Sequence, residues 1–402
     1  MMAASRCEPG VAAHGGGKAS PQRLRVAVLN RQFSSTGGGA ERYSIALLEH
    51  LAARHEMHVF AQHIDHTWPG VTYHTVSKPL TRPRWVNQLW YATATWWVTR
   101  SGFDVIHSHE NTWHGQVQTV HVLPVKYNLL HGLSGWTRAL RWVKIVTSPR
   151  LLVYLALERS RYSLRQPRAI VVTSNTLVPQ MQEAYPASAK AIKVVTPGVE
   201  RVCGVSTHPQ KSQARQQLGL PVGGFCILFV GNDYRKKGLL TLLQALSKLP
   251  EDTYLAVVGN PAQIPHFKAQ AQALGLANRV FFLGSLRDVA PAYVAADALA
   301  HPTLEDTFAM VVLEAMAHGL PVVVSCEYYC GIAGLLAHEQ DALLLADPLD
   351  ADALATALTR LVRDPALVAR LSSAALAFAQ QHQWTALAHQ QEAIYLEFAS
   401  RS

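Results

Sequence analysis

Asp306-Thr-Phe-Ala-Met-Val-Val-Leu-Glu314-Ala-Met-Ala-His-Gly319-Leu-Pro321-Val-Val-Val-Ser325 is the stretch of this chain that says most about its fold. It carries a carboxylate, Glu314, in a segment with almost no polar side, and a helix that is apolar all round is a buried one. Gly319 is a candidate C-terminal cap, and Pro321 stops the helix before the apolar strand 322–325. The stretch predicts a helix–strand unit of an open α/β sheet, with acids where such sheets bind ligands.

The two acids of this stretch admit a structural and a functional explanation. In the structural one, Asp306 or Thr307 caps the helix and a Lys or Arg satisfies Glu314. Burying a carboxylate costs several kcal/mol unless a partner compensates, so Glu314 requires a donor or ligand hydroxyls at the helix start. Because the two acids occur together, eight positions apart, we favour the functional explanation, which is a ligand site.

Two halves of the chain open with the same order of elements. Each opening predicts a strand, a glycine-containing loop, a helix and a second strand: 24–30, 37–39, 40–54 and 58–62 in the first half, and 226–231, 232–238, 239–249 and 254–259 in the second. Further strands are predicted at 105–107, 169–173, 194–196, 280–283 and 298–301, and closing helices at 350–363 and 365–382. This order is typical of two doubly wound α/β domains that face each other across a cleft.

The length of 402 residues suffices for two domains, each with its own core. We expect a disordered tail at 1–22, a first Rossmann-like domain at 23–197 and a second at 198–380. A C-terminal helix at 381–402 is expected to pack back on the first domain. The segment that starts at Thr196-Pro-Gly and runs to Pro209 has the composition of a linker.

Composition excludes several classes of protein. The chain is 49% hydrophobic and 16% charged, which fits a globular protein and argues against disorder. No run of eighteen apolar residues predicts a transmembrane helix, and the first residues lack the apolar core of a secretion signal. Five scattered cysteines suit a reducing cytoplasm, and Cys326 and Cys330 have no second pair to complete a zinc site.

Positive charge is concentrated in one window. The net charge is +9, and residues 81–168 hold twelve Lys or Arg against three Asp or Glu. Seven of the nine tryptophans fall in the same window: Trp85, Trp90, Trp96, Trp97, Trp113, Trp136 and Trp142. A solvated basic face with its aromatics in the core is one explanation, and no recognition motif supports a nucleic-acid partner. We favour contact of residues 81–168 with an anionic membrane surface or a phosphorylated glycolipid.

Two loops of small residues precede predicted helices. Gly37-Gly38-Gly39 lets backbone N–H groups approach a phosphate at a helix start, and Arg42 breaks the NAD fingerprint. The loop Gly231-Asn-Asp-Tyr-Arg235-Lys236-Lys237-Gly238 adds three cations beside the next helix start, where the helix dipole disfavours them. A bound diphosphate reverses that cost, so anion binding explains this loop better than a solvated charge run does.

Four motifs carry a resemblance to a known family. They are Gly-Gly-Gly-Ala-Glu-Arg at 37–42, Thr-Val-His at 119–121, Phe-Val-Gly-Asn-Asp-Tyr-Arg-Lys-Lys-Gly at 229–238, and the acid pair at 305–316. Together they resemble the motifs of retaining glycosyltransferases of family 4, and the resemblance covers nearly all of 24–400. It implies a GT-B fold, with the acceptor bound by 23–197 and the nucleotide sugar by 198–380. The chain looks most like lipopolysaccharide core α-1,3-glucosyltransferases, which share pairs such as Glu158-Arg159 and turns such as Cys330-Gly-Ile-Ala333.

The resemblance also implies roles for matching residues. Glu314 would hold the nucleotide ribose without needing a salt bridge, and Lys237, with Arg235 or Lys236, would neutralise the leaving diphosphate. Asp306 would lie near the donor sugar, and so would His121, for which a core histidine is the alternative. The catalytic candidates are Asp306, Lys237, Arg235 and His121. The donor-binding candidates are Gly38, Gly39, Gly231, Lys236, Glu314, Gly331, Ile332 and Ala333. The family's usual Arg after the strand glycine is Asn232 here, so the later basic residues must compensate.

The implied reaction transfers a hexose from a nucleoside diphosphate to an acceptor hydroxyl, with retention at the anomeric carbon. No cofactor and no metal are expected, since cations neutralise the phosphates and no Asp-x-Asp cluster is present. A UDP-sugar donor and a cell-envelope glycolipid or oligosaccharide acceptor, such as lipopolysaccharide core, are favoured. That acceptor places the protein in the cytoplasm, peripherally at the inner face of the cytoplasmic membrane. The alternatives are a basic membrane- or glycan-binding protein with a degenerate fold and a GT-B sugar-nucleotide epimerase.

Overall fold

The computed structural model describes residues 23–34 and 38–400. The predicted tail at 1–22 and Gly37 of the glycine triplet lie outside the described residues. Parallel sheets with helices on both faces form two α/β domains, as the strand and helix patterns predicted.

The first domain is built on a seven-stranded sheet in the order β5-β3-β1-β6-β7-β8-β9, with every neighbouring pair parallel. Its strands are β1 (Arg25–Leu29), β3 (Glu56–Ala61), β5 (Val71–Thr75), β6 (Val105–Ser108), β7 (Val117–Val120), β8 (Ala169–Val172) and β9 (Ile192–Val194), and β2 (Gln32–Phe33) and β4 (His63–Ile64) pair beside it. Its helices are α1 (Gly39–Leu51), α2 (Arg84–Thr99), α3 (Val125–Leu130), α4 (Gly135–Val146), α5 (Pro149–Arg161) and α6 (Leu177–Ala184). Central strands such as β8, Ala-Ile-Val-Val, are buried throughout, because helices cover both faces of a parallel sheet.

The second domain is built on a six-stranded parallel sheet in the order β12-β11-β10-β13-β14-β15. Its strands are β10 (Phe225–Gly231), β11 (Thr253–Gly259), β12 (Val280–Gly284), β13 (Ala298–His301), β14 (Val322–Ser325) and β15 (Leu343–Leu345). Its helices are α7 (His208–Gln217), α8 (Leu239–Leu246), α9 (Ile264–Ala273), α10 (Ala290–Ala295), α11 (Met310–Ala317), α12 (Ala351–Arg363) and α13 (Pro365–Gln381). Short 3-10 turns at Pro186–Ala191, Pro261–Gln263 and Gly331–Leu335 complete the described structure.

The last helix, α14 (Trp384–Ala399), belongs to the core of the first domain. Trp384, Leu387 and Tyr395 are buried in the same apolar cluster as β1 and α1. The two segments that connect the domains are hydrogen bonded to each other: Val199 N–H donates to the His382 carbonyl (2.9 Å), and Trp384 N–H donates to the Val199 carbonyl (3.1 Å). Gly198 permits this contact, because a Cβ there would lie 2.8 Å from the Trp384 nitrogen.

One predicted boundary is wrong in an informative way. The helix expected to begin at Asp306 or Thr307 begins at Met310, after Ala309 in a left-handed conformation with φ 70°. Asp306 instead closes the turn ahead of the helix, because its Oδ1 accepts hydrogen bonds from the N–H groups of Phe308 and Ala309. Asp306 therefore lies in a tight turn and Glu314 in the helix that follows it, so the two acids do not share one helix.

The basic, tryptophan-rich window lies on the surface of the first domain. Trp90, Trp96, Trp97, Trp136 and Trp142 are exposed, so the explanation that places the aromatics in the core is wrong for these five. Within the described part of the chain, no helix combines the length and the hydrophobicity that crossing a bilayer requires.

Candidate active site

A cavity of about 570 Å³ separates the two domains. It opens where the strands of both sheets end at their carboxyl termini, which is where open α/β sheets bind ligands. The first domain contributes Gly38, Gly39 and His121, and the second contributes Lys237 and Asp306. With Gly231, which also lines the cavity, the structure therefore brings six of the sequence-predicted site residues around one space.

The start of α1 reaches across the cleft toward the start of α11. Gly38 is the N-cap of α1, no side chain of the described residues caps the helix, and Gly38, Gly39 and Ala40 line the cavity. A Cβ on Gly39 would lie 3.7 Å from the Met310 sulfur at the start of α11. A helix N-terminus with free amides and a positive dipole is a favourable place for an anionic group.

Lys237 is held in the cleft by the loop that follows β10. Its stem packs against Gly231, where a Cβ would come within 2.9 Å of the Lys237 Cγ. Gly238 takes φ 78° and approaches the Pro302 carbonyl so closely that an added Cβ would lie 1.9 Å from that oxygen. Gly231 leaves room for the Lys237 stem, and Gly238 lets the backbone pack on Pro302. Together they place the Lys237 ammonium at the cavity.

Asp306 is the partner of that ammonium. Lys237 Nζ lies 2.5 Å from Asp306 Oδ2 and 3.0 Å from the Glu305 carbonyl oxygen, and His301 Nε2 lies 3.2 Å from the same carboxylate oxygen. Burial by itself would raise the pKa of Asp306, but the His301 hydrogen bond and the Lys237 charge outweigh it and hold that pKa well below its usual range. Burial lowers the pKa of His301, so the imidazole is neutral and its Nε2–H donates to Asp306. Asp306 is ionised and fixes the position of Lys237.

Glu314 forms a salt bridge, which corrects the expectation from the sequence that it has none. Its Oε1 pairs with the guanidinium of Arg42, which comes from α1 in the opposite domain. Its Oε2 accepts a hydrogen bond of 2.7 Å from the hydroxyl of Tyr293, a fully buried ring on α10. The Glu314 side chain is 19% exposed, so the carboxylate is held at the edge of the cleft and not deep in the core.

His121 follows β7 and lies against the second domain. The Thr307 hydroxyl donates to the His121 carbonyl across the cleft (2.8 Å), and the Tyr43 ring packs edge-on against the imidazole. His121 Nε2 lies 2.9 Å from His109 Nδ1, and the two rings stack. Burial, with a smaller effect of the Arg161 charge, lowers the pKa of His121 to about 3. A neutral imidazole therefore faces the cavity, suited to hydrogen bonding and not to carrying charge.

Several sequence-predicted residues lie outside the cavity lining. Arg235 is exposed, and Lys236 pairs with Glu305 on the outer side of the loop (3.1 Å), so Lys237 is the cation of the three that reaches the cleft. The three residues of the 331–333 turn are buried and their N–H groups donate to the carbonyls of Asp306, Phe308 and Cys330. The amides of Gly331, Ile332 and Ala333 are thus committed to the protein, which contradicts the expected phosphate cradle in this conformation.

Other residues of the site were not identified from the sequence. Arg42, Tyr293 and His301 hold the two acids, and Arg287 lines the cavity beside Ser285. Arg42 carried a signal, because it closes the Gly-Gly-Gly-Ala-Glu-Arg motif. His301 ends a buried strand at the ligand-binding edge of its sheet. Tyr293 and Arg287 carried no signal that distinguishes them from ordinary helix and loop residues.

Two family models match the two domains. "Glycosyltransferase Family 4" matches residues 37–201, and "Glycosyl transferases group 1" matches residues 210–378. The D-inositol 3-phosphate glycosyltransferase of Xylanimonas cellulosilytica is 30% identical over 327 residues, which cover 74% of this chain and 73% of that protein. The lipopolysaccharide glucosyltransferase WaaG of Escherichia coli K12 is 28% identical over 207 residues, 50% of this chain and 54% of WaaG. The chain thus aligns with about half the length of WaaG.

Solved structures agree in fold over nearly the whole chain. The crystal structure of WaaG, a glycosyltransferase involved in lipopolysaccharide biosynthesis, covers 91% of this chain and is itself covered to 98%, with a TM-score of 0.78 and 21% identity. Sucrose-phosphate synthase from Thermosynechococcus elongatus gives a TM-score of 0.75 at 26% identity, with 94% of this chain and all of that chain covered. HepE from Anabaena, solved with UDP and glucose, gives 0.71 at 20% identity, with 93% and 100% covered. The chain has two facing Rossmann-like domains, a cleft lined by Lys237 and Asp306, and matches to family models in both halves, so it belongs to the family 4 glycosyltransferases and has the GT-B fold.

Proposed function

We propose that the protein is a retaining glycosyltransferase that moves a hexose from a UDP-sugar to a glycolipid or polysaccharide acceptor of the cell envelope, such as lipopolysaccharide core. The observation that carries the proposal is that Lys237 and Asp306 line one interdomain cavity, and that Glu314 is paired with Arg42, which also lines it. UDP is favoured because HepE is solved with UDP and with UDP-glucose. The acceptor class is favoured by the similarity to WaaG, which is described as acting in lipopolysaccharide biosynthesis.

In this proposal the ribose and the diphosphate of the donor each contact a protein group of complementary chemistry. The ribose hydroxyls replace the Arg42 guanidinium on the Glu314 carboxylate, which remains held by Tyr293. The diphosphate lies between the N-terminus of α1 and the Lys237 ammonium. Negative charge grows on the departing phosphate as the glycosidic bond breaks, and a cation and helix amides fixed beforehand stabilise that charge.

Retention fits the protonation states in the cleft. Asp306 has its Oδ2 in contact with Lys237 and His301, and its Oδ1 accepts from two N–H groups, so neither oxygen is free to act as a nucleophile. We assign Asp306 to orienting Lys237. A leaving phosphate oxygen takes the acceptor proton on the face it departs from, and the acceptor oxygen then forms the new bond on that same face. The neutral His121 imidazole orients donor-sugar hydroxyls.

We further propose that the transfer needs no metal and no cofactor. Lys237 and the α1 amides supply the positive charge that a divalent cation supplies to diphosphates elsewhere. Within residues 23–34 and 38–400, no group of three His, Cys, Asp or Glu side chains is arranged to hold a metal ion. Turnover that persists in EDTA is the expected result, and turnover restored only by added Mg²⁺ or Mn²⁺ would refute this part of the proposal.

We propose that α4 brings the enzyme to its acceptor at the inner face of the cytoplasmic membrane. Trp136, Leu140 and Val143 follow the i, i+4, i+7 spacing of one helix face, and all three are exposed, Trp136 to 76%. Lys144, the residue after Val143, lies at the edge of that face, and Arg138 lies on the other side of the helix. An exposed apolar face with basic residues outside it is the composition of a helix that lies in an anionic lipid interface.

Vesicle sedimentation tests the membrane contact. Partition to vesicles of equal parts phosphatidylglycerol and phosphatidylcholine is expected, with little partition to phosphatidylcholine alone. Trp136→Ala should lower partition at least about tenfold, since burying a large apolar side chain is worth about 1.5–3 kcal/mol. Trp68→Ala is the matched control, because Trp68 is an exposed tryptophan outside the window. Equal partition of both variants and the wild type would contradict the role of α4.

A donor panel tests the central proposal. Thermal shift and hydrolysis are measured with UDP-, GDP-, ADP- and dTDP-sugars, with and without EDTA. Stabilisation and slow hydrolysis with UDP-sugars, lost in Glu314→Ala, are expected. Stabilisation by another nucleotide sugar alone would change the assigned donor and leave the assigned site unchanged. No response to any donor would refute the proposal and favour a membrane- or glycan-binding protein without transferase activity.

A further inference from the structure

A second cavity, of about 370 Å³, lies in the first domain, away from the interdomain cleft. Ile106 near the start of β6, Gln116 just before β7 and Arg168 just before β8 line it. These positions lie at the amino ends of parallel strands, and the cleft residues follow the carboxyl ends of the same sheet. The second cavity is therefore separate from the donor site.

Two arginines at this cavity have no acidic partner among the described residues. The Arg168 guanidinium donates only to the carbonyls of Trp113, Ser160 and Arg161, which fix its position but leave its charge uncompensated. Arg100 ends α2, and its guanidinium stacks 4.0 Å from the centroid of the Trp97 ring. None of the described lining residues is Asp or Glu. The cavity is thus positive.

His114 gives the cavity an unused binding group. Its side chain lines the cavity, the residue is 8% exposed, and neither ring nitrogen has a hydrogen-bond partner. Burial, followed by the nearby Arg168 charge, lowers the pKa of His114 to about 4. Buried polar groups in folded proteins are nearly always hydrogen bonded, so an imidazole with two unpaired nitrogens at a cavity wall indicates a missing ligand.

The other walls are apolar. Trp96, Ile106 and Phe398 line the cavity together with Pro167. Trp96 is also partly exposed at the surface and lies next to the exposed Trp97. A ligand that fits all walls has an anionic head for the arginines and His114 and an apolar body for Trp96 and Phe398.

We propose that this cavity is a binding site for a phosphate group attached to an apolar body. Arg100 and Arg168 neutralise the phosphate, and a ring nitrogen of His114 hydrogen bonds to it. The apolar body packs on Trp96 and Phe398. The phosphate source is a lipid headgroup or a free phosphate ester, and the two differ in whether the apolar part is required.

Calorimetry with short-chain probes in monomeric solution tests the site. The probes are dioctanoyl phosphatidic acid, dioctanoylglycerol as its uncharged counterpart, and inorganic phosphate. We expect the wild type to bind phosphatidic acid and not dioctanoylglycerol. Arg100→Gln and His114→Gln should each weaken phosphatidic acid binding at least fivefold. Arg363→Gln, at an exposed arginine on α12 of the second domain, is the matched control and should bind within twofold of the wild type.

The outcomes separate the alternatives. If inorganic phosphate binds on its own and competes with phosphatidic acid, the site takes free phosphate esters; if it does neither, the ligand is a lipid phosphate, and either result supports the site. Failure of the wild type to bind any probe would overturn it. So would equal binding by dioctanoylglycerol, or unchanged binding by Arg100→Gln, whose exposed side chain can be replaced without disturbing the core. The measurement needs no donor sugar, so it stands or falls independently of the transfer reaction.

Discussion

Replacing Glu314 by Ala is expected to weaken UDP binding roughly 30-fold. In the proposed complex the carboxylate accepts two ribose hydroxyls, and hydrogen bonds to a charged group are worth about 1.5 kcal/mol or more each. Binding must first break the Arg42–Glu314 pair, whose side chains are 32% and 19% exposed, and a pair of that exposure is worth about 1 kcal/mol. The difference of about 2 kcal/mol corresponds to roughly 30-fold in the dissociation constant. Turnover should fall below detection.

The assay is titration calorimetry with UDP together with initial rates against the donor. Glu314→Gln serves as the folded companion, because it keeps an acceptor for the Tyr293 hydroxyl and should lose less affinity than Ala. Glu305→Ala is the matched control: this exposed acid pairs with Lys236 outside the cleft, and its loss should change UDP affinity by less than twofold. UDP affinity within twofold of the wild type in a folded Glu314→Ala protein would refute the ribose assignment.

The competing role of Arg42 can be measured separately with uridine, which has no phosphates for Arg42 to attract. Arg42→Gln frees the Glu314 carboxylate, so uridine should inhibit this variant up to about fivefold more tightly, the equivalent of about 1 kcal/mol. The same change in a Glu314→Ala background should have no effect on uridine. An equal effect in both backgrounds would show that Arg42 does not act through Glu314.

The remaining predictions concern stability and turnover. Gly238→Ala should destabilise the fold by more than 2 kcal/mol, since it adds a left-handed strain of about 1–2 kcal/mol to a clash with the Pro302 carbonyl. Gly275→Ala, with a similar φ of 73° but open space around it, should cost only the strain, and equal urea midpoints for the two would contradict this account. The pKa of His121 is about 3 in the folded protein and about 6.5 in the unfolded chain, so below pH 6.5 only the unfolded chain binds a proton there. The free energy of unfolding therefore decreases by about 1.4 kcal/mol for each unit by which the pH is lowered. His121→Asn should therefore lose about 2 kcal/mol less than the wild type between pH 7 and pH 5 in urea titrations. Lys237→Met should lower kcat by at least about 100-fold at unchanged acceptor KM, which matches loss of one preorganised charge at the leaving group; a kcat within tenfold of the wild type would remove Lys237 from the chemistry.

Strands with continuous apolar runs were predictable from the sequence. The predicted strand at 298–301 coincides with β13, and the one at 226–231 is one residue shorter than β10. These predictions succeeded because a strand that is buried on both faces has an uninterrupted run of apolar residues. The strand β7, Val-Gln-Thr-Val, was not predicted. Its buried Gln118 and Thr119 are satisfied by Arg161 and His107, partners that come from other parts of the chain. Tertiary hydrogen bonds, not local pattern, make that segment a strand.

The candidate site was predictable in its residue types and not in its pairings. The cations of the 231–238 loop were recognised as an anion site, but the sequence does not show that Lys237 points inward while Arg235 and Lys236 point outward. That direction follows from the packing of Gly238 on the Pro302 carbonyl. The Arg42–Glu314 pair joins residues from different domains, so no local spacing could reveal it.

The place of α14 bears on how the chain folds as it is made. Tyr395 and Trp384 of α14 lie in the interior of the first domain. The Tyr395 hydroxyl lies 2.6 Å from His107 Nδ1, and Trp384 packs against Tyr43. On the ribosome residues 23–200 emerge without these two rings, so their sheet has an open apolar face until α14 has left the exit tunnel. The second domain has all of its strands and can close first, which reverses the usual N-terminal-first order of nascent folding. A chain released from the ribosome after residue 382, without α14, should have a second half that resists protease and a first half that is cut, and equal resistance of both halves would show that the first domain closes without α14.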